Sequence, residues 1–168
     1  MQWNLLSKSE LLDHLIGIFS YQFGPTIISF FENHFDNFDF VYSRKTGKIK
    51  HIEFQSQIFA NYKPTTGTFS LSIAAGKNLL PLLPSPRARV IVRTDVGEFI
   101  AQGKSVFTKH VISLDPNLRV GDEVFVVDEN DQLLAIGKLN VPVPYMAQLD
   151  SGMAVRVRHG AQQASIEE

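Results

Sequence analysis

Pro84-Ser85-Pro86 constrains this chain more than any other stretch. Two prolines one residue apart each lack a backbone N–H and fix φ, so neither a helix interior nor a central strand passes through them. The chain is expected to divide there into domains 1–84 and 87–160. A hydrophobic fraction of 44% with 20% charged residues is that of an ordinary globular protein, so a buried core is expected.

The first segment opens with helical chemistry. Ser7-Lys8-Ser9-Glu10 fits a capping box, and Leu12, Leu15, Ile16, Phe19 and Phe23 follow at helical spacing up to Gly24. Pro25 suits the first turn of a second helix over 26–33, whose Ile27, Ile28, Phe30 and Phe31 read as core. From Phe38 the period changes to two. Segments 38–42 and 49–54 flank a glycine-containing turn, 58–62 and 69–73 form a second hairpin, and 74–83 reads as a short helix. Arg44, Lys45, Lys48 and Lys50 gather on the first hairpin; a solvated tip and a phosphate-contact patch both account for them.

Beyond the prolines the texture is mostly β. Strands are predicted at 87–92, 124–127, 133–139 and 153–159, with short helices at 95–102 and 142–150 and a frayed end over 160–168. Residues 103–122 organise this half. Val106, Phe107, Val111, Ile112 and Leu114 predict a largely buried strand, and Asp115-Pro116-Asn117 ends it with turn chemistry. The acidic run 128–131 reads as a solvated hairpin turn. The fold class is α+β, an N-terminal α+β domain followed by a β-barrel.

Several functions are excluded or disfavoured. Without cysteine there is no disulfide and no thiolate metal site, and the five histidines share no metal-ligand spacing. Gly103-Lys104-Ser105 fails as a phosphate-binding loop, because position 98 is Glu and a strand follows where a helix is required. No cofactor and no catalytic set is nominated, so the chain is expected not to be an enzyme. No apolar run approaches a membrane span, and a cytoplasmic location is expected. A net charge of −1 still permits a local basic face. The last strand offers one: with strand alternation, Arg156 and Arg158 share a face opposite Val155 and Val157, and forked guanidinium donors suit phosphates. A charged edge strand that resists aggregation is the competing reading.

Residues 87–160 resemble a PUA domain, a small RNA-binding β-barrel, in the version that ends archaeal tRNA-guanine transglycosylases, the enzymes that begin archaeosine formation. The resemblance rests on Gly103-Lys104-Ser105-Val106-Phe107, Asp115-Pro116, Arg119, Gly121-Asp122-Glu123-Val124, the hairpin 131–137, Met146, and Gly152-Met153-Ala154-Val155-Arg156-Val157-Arg158. Upstream, Tyr62-Lys63-Pro64, Gly67, Ala75-Gly76-Lys77 and Leu83-Pro84-Ser85-Pro86-Arg87 are similar to the domain that precedes PUA in that family. The resemblance implies a non-catalytic, tRNA-binding accessory in tRNA modification that holds the acceptor stem and 3′ end. Arg87, Gly103, Lys104, Phe107, Lys109, His110, Arg156 and Arg158 are the residues expected at the RNA. His110 stands where the family often carries an aromatic. A separately encoded transglycosylase-type subunit is the implied protein partner, and docking onto such a catalytic subunit is the alternative function.

Overall fold

The computed structural model describes residues 1–163. The chain forms two compact units, Met1–Ala75 and Gly76–Glu168.

The first unit begins as its local chemistry dictates. Glu10 N donates to Ser7 Oγ at 3.2 Å, and Ser7 N donates to Glu10 Oε2 at 2.8 Å, completing the capping box of helix α1, Lys8–Phe23. Those bonds favour the ionised carboxylate and hold Glu10 below the usual carboxylate range. The buried stripe is Leu11, Leu15, Phe19 and Phe23, four apart, so Leu12 and Ile16 sit only half-buried at its margin. Gly24, at φ 93°, turns the chain into a 3₁₀ turn, Pro25–Ile27, and then α2, Ile28–His34. Strands β1 (Phe38–Tyr42), β2 (Ile49–Phe54), β3 (Gln57–Lys63) and β4 (Thr68–Leu71) follow as an antiparallel meander in that order. Phe19, Phe31, Phe59 and Phe69 are almost fully buried, and Phe19 stacks on Phe69 with ring centres 4.8 Å apart. The aromatics are therefore core. Alternation fails at Ser70, which is buried and donates from its hydroxyl to the Asn61 carbonyl at 3.4 Å. Ile73 leaves the sheet to open α3, Ile73–Leu79, and Pro81 falls in the 3₁₀ turn Leu80–Leu82.

In the second unit, β5 (Arg89–Val92), β6 (Val106–Phe107), β7 (Val111–Leu114), β8 (Glu123–Val127), β9 (Leu133–Leu139) and β10 (Met153–Gly160) make one sheet in the order β6-β10-β9-β8-β5-β7. Only β5 and β8 run parallel. The terminal strands of that order, β6 and β7, are joined by a single 3₁₀ turn, Thr108–His110. Two edges tied by so short a link must meet, and the sheet curls into a barrel. Val90, Val92, Val106, Val124, Val126, Ala135, Ala154 and Val155 fill its interior, with Ile100 from α4, Gly97–Ala101, and Met146 from the 3₁₀ turn Val143–Gln148.

The single buried strand expected across 106–114 is two strands, with Phe107 44% and Ile112 50% exposed. The break has a cause. Thr108 donates from N to the Gly152 carbonyl at 2.8 Å and from its hydroxyl to the Leu149 carbonyl at 2.6 Å, which pins the chain as it leaves β10 for β5. The acidic turn is not simply solvated either. Asp128 is buried and accepts from Asn130 N and Gln132 N at 2.8 and 3.0 Å, while Asp131 pairs with buried Arg89 at 2.7 Å. Nor does the chain fray at once after Gly160: Ala161 N reaches the Leu134 carbonyl and Gln162 N the Ala101 carbonyl. The rest of the expected frayed end lies outside the described residues from 164 on.

Candidate nucleic-acid interface

Pairing of Val106 with Val155, both fully buried, fixes which side chains leave the barrel. Residues one position away, Phe107 on β6 and Arg156 on β10, point outward. Lys104, Phe107 and Lys109 are all exposed along a continuous edge that runs into His110. Val157 N donates to Ser105 Oγ at 3.3 Å, which sets the Arg156 backbone beside the start of β6. Lys104, Phe107, Lys109, His110 and Arg156 are thus brought to one side of the barrel.

Three expected residues take other places. Arg87 is half-buried and precedes β5 at the end opposite His110; its carbonyl accepts from buried Arg89 at 3.2 Å. Gly103, at φ 101°, lies in the left-handed region that favours glycine as the chain passes from α4 to β6, and a Cβ on Gly160 would approach its N to 2.6 Å. Arg158, unlike Arg156, is already engaged: its guanidinium donates to Glu123 at 2.7 and 2.5 Å. The Glu123 side chain is only 3% exposed, so this pair is built into the wall of the barrel.

His110 Nδ1 is buried and has no hydrogen-bond partner among the described residues. Burial holds the imidazole below its ordinary value of 6.5, the Lys109 and Arg93 cations push the same way, and Asp95 opposes them in part. Arg93 is paired with Asp95 through Nε, at 3.0 Å, and Nη2, so that acid neutralises part of the basic edge. Because folded His110 resists protonation, the folded state binds fewer protons than the unfolded chain as pH falls through 6.5. Stability contributed by this group is lost over that interval and down through the lower folded value. His110→Gln is expected to flatten the fall in unfolding temperature between neutral and mildly acidic pH, measured by thermal melts of both proteins at matched ionic strength.

Sequence reasoning missed Arg93, Phe99 and Lys138. Phe99, 62% exposed on α4, looks like core because its neighbour Ile100 is core. Lys138 is visible only through strand register, which sets it directly opposite Arg156. Among the described residues no cluster of three or more His, Cys, Asp or Glu is arranged to hold a metal ion, and no helix is long and apolar enough to cross a membrane.

Two family models account for most of the chain. The PUA domain matches residues 88–161, and the patch-forming domain C2 of tRNA-guanine transglycosylase matches residues 13–86. The chain is a C2 domain followed by a PUA domain and resembles the C-terminal region of archaeal tRNA-guanine transglycosylases. It is 36% identical over 155 residues to the tRNA-guanine(15) transglycosylase of Thermococcus onnurineus, a match covering 92% of this chain and 26% of that protein. The enzyme of the same name from Methanosphaera stadtmanae is 35% identical over 153 residues, covering 90% of this chain and 23% of that protein. The C2–PUA chain therefore spans about a quarter of the length of these relatives. Its fold also matches solved structures. A hypothetical protein from Pyrococcus horikoshii superposes with a TM-score of 0.71 at 24% identity, over 96% of each chain. A PUA-domain protein from Aeropyrum pernix gives 0.57 at 17% identity, over 93% of this chain and 84% of the other. The resemblance drawn from the sequence alone is borne out, as is the α+β class with its C-terminal PUA domain.

Proposed function

We propose that this C2–PUA chain binds RNA along the β6 edge of its barrel, that the RNA is the acceptor end of tRNA, and that the chain serves tRNA modification as a non-catalytic accessory. The observation that carries this reading is an exposed aromatic, Phe107, between two exposed lysines, Lys104 and Lys109, on the PUA barrel. An aromatic face stacks an unpaired base, and flanking ammonium groups hold the phosphates on either side of it. The curated relatives whose C-terminal quarter this chain matches are named for acting on tRNA, which supports tRNA as the RNA.

The test is a titration of intact tRNA and of tRNA lacking its terminal CCA against the natural chain and Phe107→Ala. Stacking is worth roughly 1–3 kcal/mol per base, so Phe107→Ala is expected to weaken intact tRNA by about tenfold or more. It should change the trimmed tRNA little. Equal affinities across all four combinations defeat the acceptor-end reading.

A second reading is that the chain docks onto a separately encoded transglycosylase-type subunit. The relatives carry the matched region within one longer polypeptide, which supports its working beside the remainder of such a protein. Co-purification that survives nuclease and high salt distinguishes docking from a shared RNA.

A further inference from the structure

The geometry points to a phosphate site on the outer wall of the barrel, between Lys138 on β9 and Arg156 on β10, that takes one phosphodiester of the bound RNA. It rests on the RNA reading above and extends it to a residue outside the β6 edge.

Strand register is the first observation. Arg156 lies directly opposite Lys138, and Lys138 lies directly opposite Glu123 on β8, so the three stand in one row across neighbouring strands. Directly opposed residues share a face with Cβ atoms about 4.5–5.5 Å apart, and like charges so placed repel. Both cations are exposed. The second observation is where the row's carboxylate goes. Both Glu123 oxygens accept from Arg158, at 2.7 and 2.5 Å, and that carboxylate is buried. Neither Lys138 nor Arg156 forms an ion pair among the described residues. The row thus carries opposed cations whose nearest acid is already committed.

A bound anion removes the repulsion and gains two charge-assisted contacts, one forked from Arg156 and one from the Lys138 ammonium. A backbone phosphodiester fits this chemistry. Phe107 pairs with Met153 on β10, and exposed Arg156 lies three residues further along that strand, past a shift in register. A strand whose base stacks on Phe107 can therefore run its backbone over β10 toward β9, with neighbouring strands about 4.8 Å apart.

The test compares the natural chain, Lys138→Gln, Arg156→Gln, the double variant and Lys104→Gln, each titrated with one tRNA over a salt series. Each neutralised phosphate contributes about 0.7–0.9 to the log–log salt slope. Because the two cations share one phosphate, the double variant is expected to lose about one such unit in total. Lys138→Gln alone should weaken binding severalfold while the RNA-free protein melts at an equal or higher temperature, since a repulsion has been removed. If Lys138→Gln leaves affinity and slope unchanged while Lys104→Gln reduces both, this site is wrong and the RNA reading stands. A double variant that loses two units places the cations on separate phosphates and overturns the shared site. A lowered melting temperature in Lys138→Gln makes its effect structural and overturns the proposal. Absence of tRNA binding by the natural chain itself overturns the underlying reading, and this site with it.

Discussion

Arg89→Met is expected to destabilise the PUA barrel by roughly 3–5 kcal/mol, enough to remove a large part of the 5–15 kcal/mol typical of a domain. Arg89 is the most deeply buried cation described, with 3% of its side chain exposed. Its Nη1 donates to the carbonyls of Leu83 at 3.0 Å and Arg87 at 3.2 Å, its Nη2 to the Leu80 carbonyl at 3.2 Å, and its Nε and Nη2 together reach Asp131. Methionine replaces the aliphatic stem but supplies no donor, so those buried carbonyls lose their partner together. Asp131 is half-exposed, and solvent screens its share of the pair. Asp131→Asn is therefore expected to lose only about 1 kcal/mol. Urea unfolding of the two variants beside the natural chain checks the contrast. Equal losses in both would mean that the ion pair, and not the carbonyl bonds, holds this end of β5.

Arg158→Met is the second large effect, expected at about 3 kcal/mol. It withdraws two N–H donors from a carboxylate that is 3% exposed, and a buried charge stripped of such donors is strongly disfavoured. Glu123→Leu combined with Arg158→Met is expected to recover most of the loss, because an apolar pair of similar volume needs no donors. Denaturant curves of the single and double variants beside the natural chain measure both. A loss that the double variant does not recover would show that packing of the arginine stem, rather than the charge, is what was lost. RNA binding by any Arg158 variant must accordingly be measured at a temperature where that variant remains folded.

Local chemistry was legible in the sequence. The capping box at Ser7, the stop at Gly24, the meander hairpins and the hairpin from β8 to β9 each depend on residues within a few positions of one another. What escaped depends on register and on partners far along the chain. Arg158 differs from Arg156 through its pairing with Glu123, 35 positions earlier, and strand alternation has no means of announcing such a partner. Asp128 and Asp131 read as a wet turn because neither the capture of turn amides nor the buried Arg89 more than forty positions earlier is written in the turn itself. Phe107 and Ile112 carry the composition of core, but the switch of strand partner at Thr108 turns them outward. Of the residues expected at the RNA, the basic and aromatic edge from Lys104 to His110 converges as one surface. Arg158 is drawn into the scaffold by a carboxylate that only the fold supplies, and Arg87 is held there by its own carbonyl, which accepts from buried Arg89.

The strand order of the two units sets different routes to the folded state. In the first, every pairing joins strands adjacent in sequence, so each hairpin closes a short loop and the meander grows one strand at a time. The barrel has no such option at its seam. β5 waits for β8 across everything from 93 to 122, and β10 must return to β6, a junction marked by the Val157–Ser105 bond between residues 52 apart. Loop-closure entropy is lost before those contacts form, which makes the barrel the slower of the two to assemble. The edge that carries Lys104 and Phe107 acquires its partner only when β10 is in place, so in a chain made from its amino terminus the candidate RNA surface is completed only after β10 has been made.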